Sequence, residues 1–327
     1  MTEANIALIE AAADRLRGHA RVTPLLSSPF LDEIAGRRVL VKAECLQHTG
    51  SFKFRGGWSA VSALPEEVRG KGVVAVSTGN HAQGVAYAAQ LHGVPSVIVM
   101  PADAPKLKIE NTRALGAEVI LYDRETENRD EIGAKLSRER DLTLIKPYDD
   151  PQVIAGQGTI GLELAQQLAD EDIAKADVLI PCGGGGLSSG IGLALEAWAP
   201  GLRIRPVEPA DFDDVKRSLA SGRIEKNPKA TGSLCDAILT PSPGSITFPI
   251  LSRIAGPGLS VTDDEALRGM ALAFSRLKIV LEPAGAVALA SALLHPNESE
   301  GDAVIVVASG GNVDAPVFRE ALDRFAD

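Results

Sequence analysis

Lys53 stands between two phenylalanines in the stretch Thr49-Gly50-Ser51-Phe52-Lys53-Phe54-Arg55-Gly56-Gly57. An ammonium partly shielded from water gives up its proton more easily, and the neutral amine is both nucleophile and base, as a Schiff-base lysine must be. The same residues also fit a snorkelling lysine on a helix whose aromatic neighbours face the core. Ser77-Thr78-Gly79-Asn80-His81 follows the run Val73 to Val76 and opens a helical pattern. Backbone N–H groups and the positive end of a helix dipole form an anion site there, to which Ser77 and Asn80 add polar donors, suited to an amino-acid carboxylate. An ordinary Ser/Asn cap accounts for the same residues, and His81 alone specifies no chemistry. Gly183-Gly184-Gly185-Gly186 lies between the run Val178 to Ile180 and a helix starting near Leu187. Such a loop wraps closely around a phosphate. No Lys-Ser/Thr follows it and the G-x-G-x-x-G spacing is missing, so a monophosphate is favoured over a nucleoside triphosphate or dinucleotide, with a flexible turn as the alternative. Ser309-Gly310-Gly311-Asn312 follows the apolar run Ala303 to Val307. Ser309 therefore falls just beyond the carboxyl end of a strand, where parallel sheets place ligands, although a glycine turn with Asn312 as a helix cap reads equally well.

These clusters sit at the junctions of a βαβ rhythm. Val73 to Val76, Ser96 to Val99 and Val119 to Leu121 alternate with helical segments at His81 to Leu91, Lys106 to Leu115 and Arg129 to Leu136. After Tyr148 the rhythm resumes with a helix near Ile154 to Leu168, the strand Val178 to Ile180, a helix at Leu187 to Trp198 and the strand Ile204 to Val207. Parallel sheets flanked by helices follow from that alternation. The stretch Gly222 to Phe248 breaks the pattern and reads as a long surface connection before two more helices, the strand Ala303 to Val307 and a closing helix after Asn312.

Composition narrows the function classes. A net charge of -10 disfavours a general binder of nucleic acid or anionic membrane, because an acidic surface repels polyanions. Cys45, Cys182 and Cys235 are too scattered for a disulfide framework or a structural zinc. No apolar run is long enough to cross a bilayer, and the N-terminus lacks the pattern of a secretion signal, so a soluble, cytoplasmic protein is expected.

Taken together, Ser51-Phe52-Lys53, Ser77 to His81, the tetraglycine loop and Ser309 to Asn312 resemble the fold-type II pyridoxal 5'-phosphate (PLP) enzymes, specifically the threonine dehydratase and serine racemase family. Ile154-Ala155-Gly156-Gln157-Gly158-Thr159 and Leu281-Glu282-Pro283-Ala284 extend the resemblance along nearly the whole chain. It implies an α/β fold of two domains, a large one from residues 1–66 and 149–327 and a small one from 67–148, each with a mainly parallel sheet. It further implies that Lys53 carries the Schiff base and takes the α-proton, with Phe52 packed near the ring and Asn80 on the phenolic oxygen. Gly183, Gly184, Gly185 and Gly186 would hold the phosphate, Ser77, Asn80 and His81 the substrate carboxylate, and Ser309 would face the pyridine nitrogen. A neutral hydroxyl there keeps the cofactor a weaker electron sink than an aspartate would, which favours loss of a β-leaving group. The implied activity is elimination of water and ammonia from L-threonine or L-serine by a homodimer. Serine racemase, a dehydratase of 3-hydroxyaspartate or another substituted β-hydroxy amino acid, and a catalytically silent binding module are the alternatives.

Several residues depart from the family pattern or extend it. Thr78 occupies the position of a serine that works on the opposite face in racemase-like members, so dehydration of the L-substrate is expected to dominate. In Ser233-Leu234-Cys235-Asp236-Ala237, Ala237 replaces the usual glycine. Glu208 and Asp214, placed in a turn after the strand Ile204 to Val207, resemble with the carbonyl of Phe212 a divalent-cation site whose hard oxygens suit Mg²⁺ or Ca²⁺, a solvated acidic loop being the alternative. Arg129 stands near the expected mouth of the site, though its acidic neighbours fit a surface ion-pair face. The chain stops before the C-terminal regulatory domain of isoleucine-responsive threonine dehydratases, from which a stand-alone or catabolic role is expected.

Overall fold

The computed structural model describes residues 3–326 apart from Thr78, Pro105 and Arg124, with only the backbone of Leu107. Its strands are β1 (Leu25–Ser27), β2 (Arg38–Lys42), β3 (Val73–Val76), β4 (Ser96–Pro101), β5 (Glu118–Tyr122), β6 (Thr143–Leu144), β7 (Ala176–Pro181), β8 (Leu202–Pro209), β9 (Leu259–Val261) and β10 (Ala303–Val307). One sheet has the order β1-β2-β10-β7-β8-β9 and is parallel except at β1–β2; the other, β5-β4-β3-β6, is parallel throughout.

Both sheets are buried on two faces, and the strand period of two shows it. In β10, Val304 and Val306 join the core beneath helix Pro283–Leu294, whereas Ile305 and Val307 join the core shared with helices Pro151–Asp170 and Gly186–Trp198. In the smaller sheet Val73, Ala75, Ile98 and Met100 face one cluster and Val74, Val97 and Val99 the other. The sequence pattern missed β1, β2, β6 and β9. Three of these have only two or three residues, and in β2 the apolar run Val39-Leu40-Val41 is bracketed by Arg38 and Lys42, which mask it. Lys42 is nevertheless fully buried, its Nζ bonded to Glu163 Oε2 (2.5 Å), the Thr23 carbonyl (2.8 Å) and Gln167 (2.9 Å). The stretch Gly222 to Phe248 is also less peripheral than expected. Helix Thr247–Ile254 begins inside it, and residues 236–245 line the central cavity, because the loop folds back over the end of β7.

Glycines fix how helices meet behind Lys53. A Cβ on Gly84, in helix Asn80–Leu91, would lie 2.8 Å from the carbonyl carbon and oxygen of Lys53, and one on Gly57 would lie 2.8 Å from the Gly84 carbonyl oxygen. On the other side Gly156, in helix Pro151–Asp170, abuts the Arg55 carbonyl more closely than any Cβ tolerates. Helix Lys53–Ser62 is thus gripped between two helices through backbone contacts. Arg55 secures the same helix. Its guanidinium meets both Glu44 oxygens (2.9 Å each), Glu163 Oε1 (2.6 Å) and Thr159 Oγ1 (3.2 Å). With Lys42 these make two cations and two carboxylates in alternation, an arrangement that fixes geometry more than it adds stability.

Replacing Gly84 by alanine forces the Lys53 backbone to shift, and overpacking of this kind costs about 1–3 kcal/mol. The expected result is a lower melting temperature together with weaker PLP binding; an unchanged melting curve and unchanged PLP affinity would remove the clamp from the account.

Candidate active site

A cavity of about 680 Å³ opens where the carboxyl ends of β3, β7 and β10 face one another. Lys53, Ser77, Asn80, His81, Gly183 to Gly186 and Ser309 all line it, so residues scattered over two sheets converge. Phe52 lines it too, its ring centroid 5.1 Å from Lys53 Nζ. Lys53 Nζ donates to the Pro147 carbonyl at 2.7 Å. Burial pulls its pKa down to about 8, although Glu282 works in the opposite direction. Thr78 lies outside the described residues.

Across the cavity, helix Asn80–Leu91 starts with its N-terminal end toward the site, and Ser77 Oγ accepts from the Gly79 N–H (3.2 Å), shaping the turn that leads in. His81 Nε2 lies 3.0 Å from the Ile145 carbonyl oxygen. Burial, reinforced by the charge of Lys53, drives the His81 pKa down to about 3, so the ring is neutral and its Nε2–H is the donor. Nδ1, buried without a partner, is then an acceptor. His81 therefore brings neither a positive charge nor a free ring N–H to the cavity, where Ser77 and the backbone N–H groups of the helix start remain as candidate donors. The side chain of Asn80 is already engaged, donating to Glu282 Oε1 (2.6 Å) and accepting from Asn312 Nδ2 (2.6 Å).

The tetraglycine loop joins β7 to helix Gly186–Trp198. Gly185 takes φ +91°, a conformation open to glycine, and a Cβ on Gly184 would collide with the Tyr148 ring. The Gly184 carbonyl is tied down by Thr247 Oγ1 (2.6 Å) and the Gly244 N–H (3.2 Å). Nearby, Thr240 Oγ1 is buried without a partner. A glycine loop beneath a helix N-terminus, an orphaned hydroxyl and a lysine amine in one cavity fit a phosphate-bearing aldehyde.

The expected cation residues differ in placement from the sequence reading. Glu208 lies within β8 instead of a turn after it, and Asp214 opens helix Asp214–Ser221. Both carboxylates are buried, and so is Phe212. Glu208 accepts from the N–H groups of Val215 (3.0 Å) and Lys216 (2.7 Å), while Asp214 Oδ2 has no partner. Burial, with Asp214 nearby, raises the Glu208 pKa well above the carboxylate range, and burial pushes Asp214 up to about 7. An orphaned carboxylate oxygen beside a second buried carboxylate fits a hard cation. Among the described residues no group of three His, Cys, Asp or Glu side chains converges on a metal position, so the carbonyl of Phe212 would have to complete the set. Arg129 is at the cavity mouth, 3.9 Å from Asp130, and more than half exposed.

The family model of pyridoxal-phosphate dependent enzymes matches residues 16–310. The L-threo-3-hydroxyaspartate ammonia-lyase of Saccharomyces cerevisiae is 42% identical over 306 residues, covering 93% of this chain and 91% of that protein. Among solved structures, a threonine deaminase from T.th. superposes with a TM-score of 0.89 at 44% identity (95% of this chain, 99% of that one). Maize serine racemase gives 0.91 at 35% (99% and 98%). The chain belongs to the fold-type II PLP-dependent enzymes, in the group of threonine deaminases, serine racemases and hydroxyaspartate ammonia-lyases. As an enzyme it is a PLP-dependent ammonia-lyase of the serine/threonine dehydratase kind.

Tyr148, Pro147 and Asn312 escaped the sequence reading as site residues, and Glu282 was noted only within a family-like stretch. Tyr148 and Pro147 carry no chemical signature, and Asn312 read as a helix cap. Lys53 yields a test of the geometry. With its pKa near 8, roughly a tenth of the amine is neutral at pH 7, against under about 0.1% for an ordinary lysine. The rate at which apo-protein captures PLP should therefore rise with pH to half-maximum near 8; a rise displaced toward pH 10 would mean that Lys53 is not desolvated.

Proposed function

We propose that this protein converts a small L-β-hydroxy amino acid into a 2-oxo acid and ammonia, through Lys53 and a PLP held by the tetraglycine loop. The observation that carries the reading is the lysine amine of lowered pKa sharing a cavity with a glycine cradle at a helix N-terminus. PLP, when bound, supplies an electron sink that makes the substrate α-C–H acidic. Lys53 Nζ would hold the cofactor at its aldehyde carbon and, once exchanged there for the substrate amine, would accept the α-proton. Gly183 to Gly186 would offer backbone N–H groups to its phosphate, and Phe52 would pack beside its ring. Ser309, buried beyond the end of β10, would present a neutral hydroxyl to the pyridine nitrogen. Ser77 and the backbone N–H groups at the start of helix Asn80–Leu91, that of Asn80 included, would receive the substrate carboxylate, while the remaining side-chain amide proton of Asn80 would meet the phenolic oxygen. The β-hydroxyl would leave as water, the proton it gains balancing the one Lys53 takes from the α-carbon, and the dehydrated product would add water to give the oxo acid and ammonia. We assign residues 67–148, which contain β3 to β6, to a small domain that carries the carboxylate site toward Lys53 on the large domain formed by 1–66 and 149–327.

Serine and threonine are the first reading. A second reading, 3-hydroxyaspartate, is favoured by Lys108, Arg129 and Lys146 lining the same cavity, with Lys108 the most enclosed, 3.9 Å from Asp236. Two of the similar proteins, from Saccharomyces cerevisiae and Pseudomonas sp, bear the name L-threo-3-hydroxyaspartate ammonia-lyase. The screen that separates these readings measures oxo-acid and ammonia release from serine, threonine and 3-hydroxyaspartate stereoisomers, with chiral analysis of the residual amino acid. An L-β-hydroxy amino acid should be consumed, and Lys53→Ala should reduce turnover by about 10³-fold or more. Fast racemisation with little oxo acid would replace the lyase reading by a racemase one.

A divalent cation at Glu208, Asp214 and the Phe212 carbonyl is part of the proposal, supported by the orphaned Asp214 oxygen. A cation that binds only the folded state stabilises it by mass action. Chelation should lower the melting temperature by several degrees, with recovery on adding Mg²⁺ or Ca²⁺; a melting temperature indifferent to both would eliminate the site.

A further inference from the structure

Glu282 is the one buried carboxyl lining the cavity, among the described residues, to which the proposed chemistry gives no task. It stands at the N-cap of helix Pro283–Leu294, its backbone N–H bonded to the Gly310 carbonyl (3.1 Å). Its Oε1 accepts from Asn80 Nδ2 at 2.6 Å. The rest of the chain of bonds fixes which end of Asn80 is which. Asn312 Nδ2 donates to the Thr49 carbonyl (2.7 Å) and to Asn80 Oδ1 (2.6 Å), which uses both of its protons. Asn80 must therefore present oxygen to Asn312 and nitrogen to Glu282, with its second amide proton left over. Room for the carboxyl is made by Gly310, where any Cβ would overlap Glu282 Oε1 and lie 3.2 Å from Asn80 Nδ2. A glycine after Ser309 thus serves the Asn80–Glu282 pair as well as the turn.

We propose that Glu282 is a positioning residue, which by holding Asn80 in one orientation aims an amide donor at the phenolic oxygen of PLP and by its own charge sets the protonation balance of the Lys53–cofactor link. The proposal rests on the reading that Asn80 meets that oxygen.

The charges facing Glu282 allow it to titrate in the working range. Lys53 and Lys108 favour the carboxylate, Asp236 opposes it, and the thiols of Cys45 and Cys235 lie close enough to be raised in part by it. Burial outweighs the two lysines and the Asn80 bond and lifts the carboxyl to about 7. Below that pH the group is a neutral acid whose carbonyl oxygen still accepts from Asn80; above it, a negative charge stands near the lysine nitrogen and favours its protonated form.

The test compares holoenzyme with Glu282→Gln, Glu282→Ala and Asn80→Ala, reading PLP dissociation constants and the visible spectrum of the lysine-bound cofactor from about pH 5.5 to about 9. Glutamine keeps an acceptor without a titrating charge, so its affinity should stay within about threefold while the spectral transition near neutral pH disappears. Alanine at 282 frees Asn80 to turn and should weaken PLP binding about tenfold or more. If Glu282→Gln shows the wild-type pH profile, the charge role is overturned, and that variant decides even should Glu282→Ala fail to fold. If Glu282→Ala binds PLP like wild type, the positioning role is overturned. Asn80→Ala separates this failure from that of the underlying reading: an unchanged spectrum there would reject Asn80 as the partner of the phenolic oxygen, whereas a shifted spectrum with silent Glu282 variants would reject Glu282 alone.

Discussion

The contact between Gly84 and the backbone of Lys53 sets the distances on which the rest of the cavity depends. Helix Asn80–Leu91 turns its positively polarised N-terminus to the cavity, helix Lys53–Ser62 begins with the buried amine, and the two approach until a single methyl group would separate them. Gly156 presses from the opposite side, so the lysine cannot retreat. Such rigidity matters because the proposed chemistry needs the amine, the glycine loop and the helix start within fractions of an ångström of their working positions. Backbone-to-backbone packing delivers that better than side chains, whose rotamers relax.

Electrostatics then divides the interior into two parts with different purposes. Behind the lysine helix, Lys42, Glu44 and Arg55 are buried and, with the partly exposed Glu163, neutralise one another through direct bonds, so their burial is tolerated and the helix is locked in register. Inside the cavity the charges are not matched in this way. Lys53 is lowered, Glu282 is raised, and His81 is held neutral, each chiefly by desolvation. Burial thus moves the amine and the carboxyl into the range where protons exchange near neutral pH.

Much of this was legible in the amino-acid sequence, and the rest was not for physical reasons. Lys53, the tetraglycine loop and the βαβ rhythm could be read because each has a local signature: an ammonium among aromatics, glycines at a strand-to-helix turn, and apolar runs of fixed period. The strands β1, β6 and β9 are too short to show a period, and β2 hides behind Lys42, a charged residue that is buried only because Glu163 waits on a helix 121 residues later. Glu282 and Asn312 fall into the same class. Their meaning lies in a chain of bonds from Thr49 to Glu282 that joins four separate segments, and no spacing within one segment announces it. His81 shows the converse, a residue in a familiar stretch whose burial against Ile145 gives it a neutral, hydrogen-bonding task.

The central claim is that PLP is held covalently by Lys53 and by no other lysine. Borohydride reduces the carbon–nitrogen double bond of such a link to a stable amine, after which proteolysis and mass spectrometry locate the pyridoxyl group. The account predicts one dominant label, on the peptide that contains Lys53, with loss of the visible band and of activity in step with it. A label on Lys108 or Lys146, the other lysines of the cavity, or a protein that loads PLP and turns over after Lys53→Ala, would contradict it.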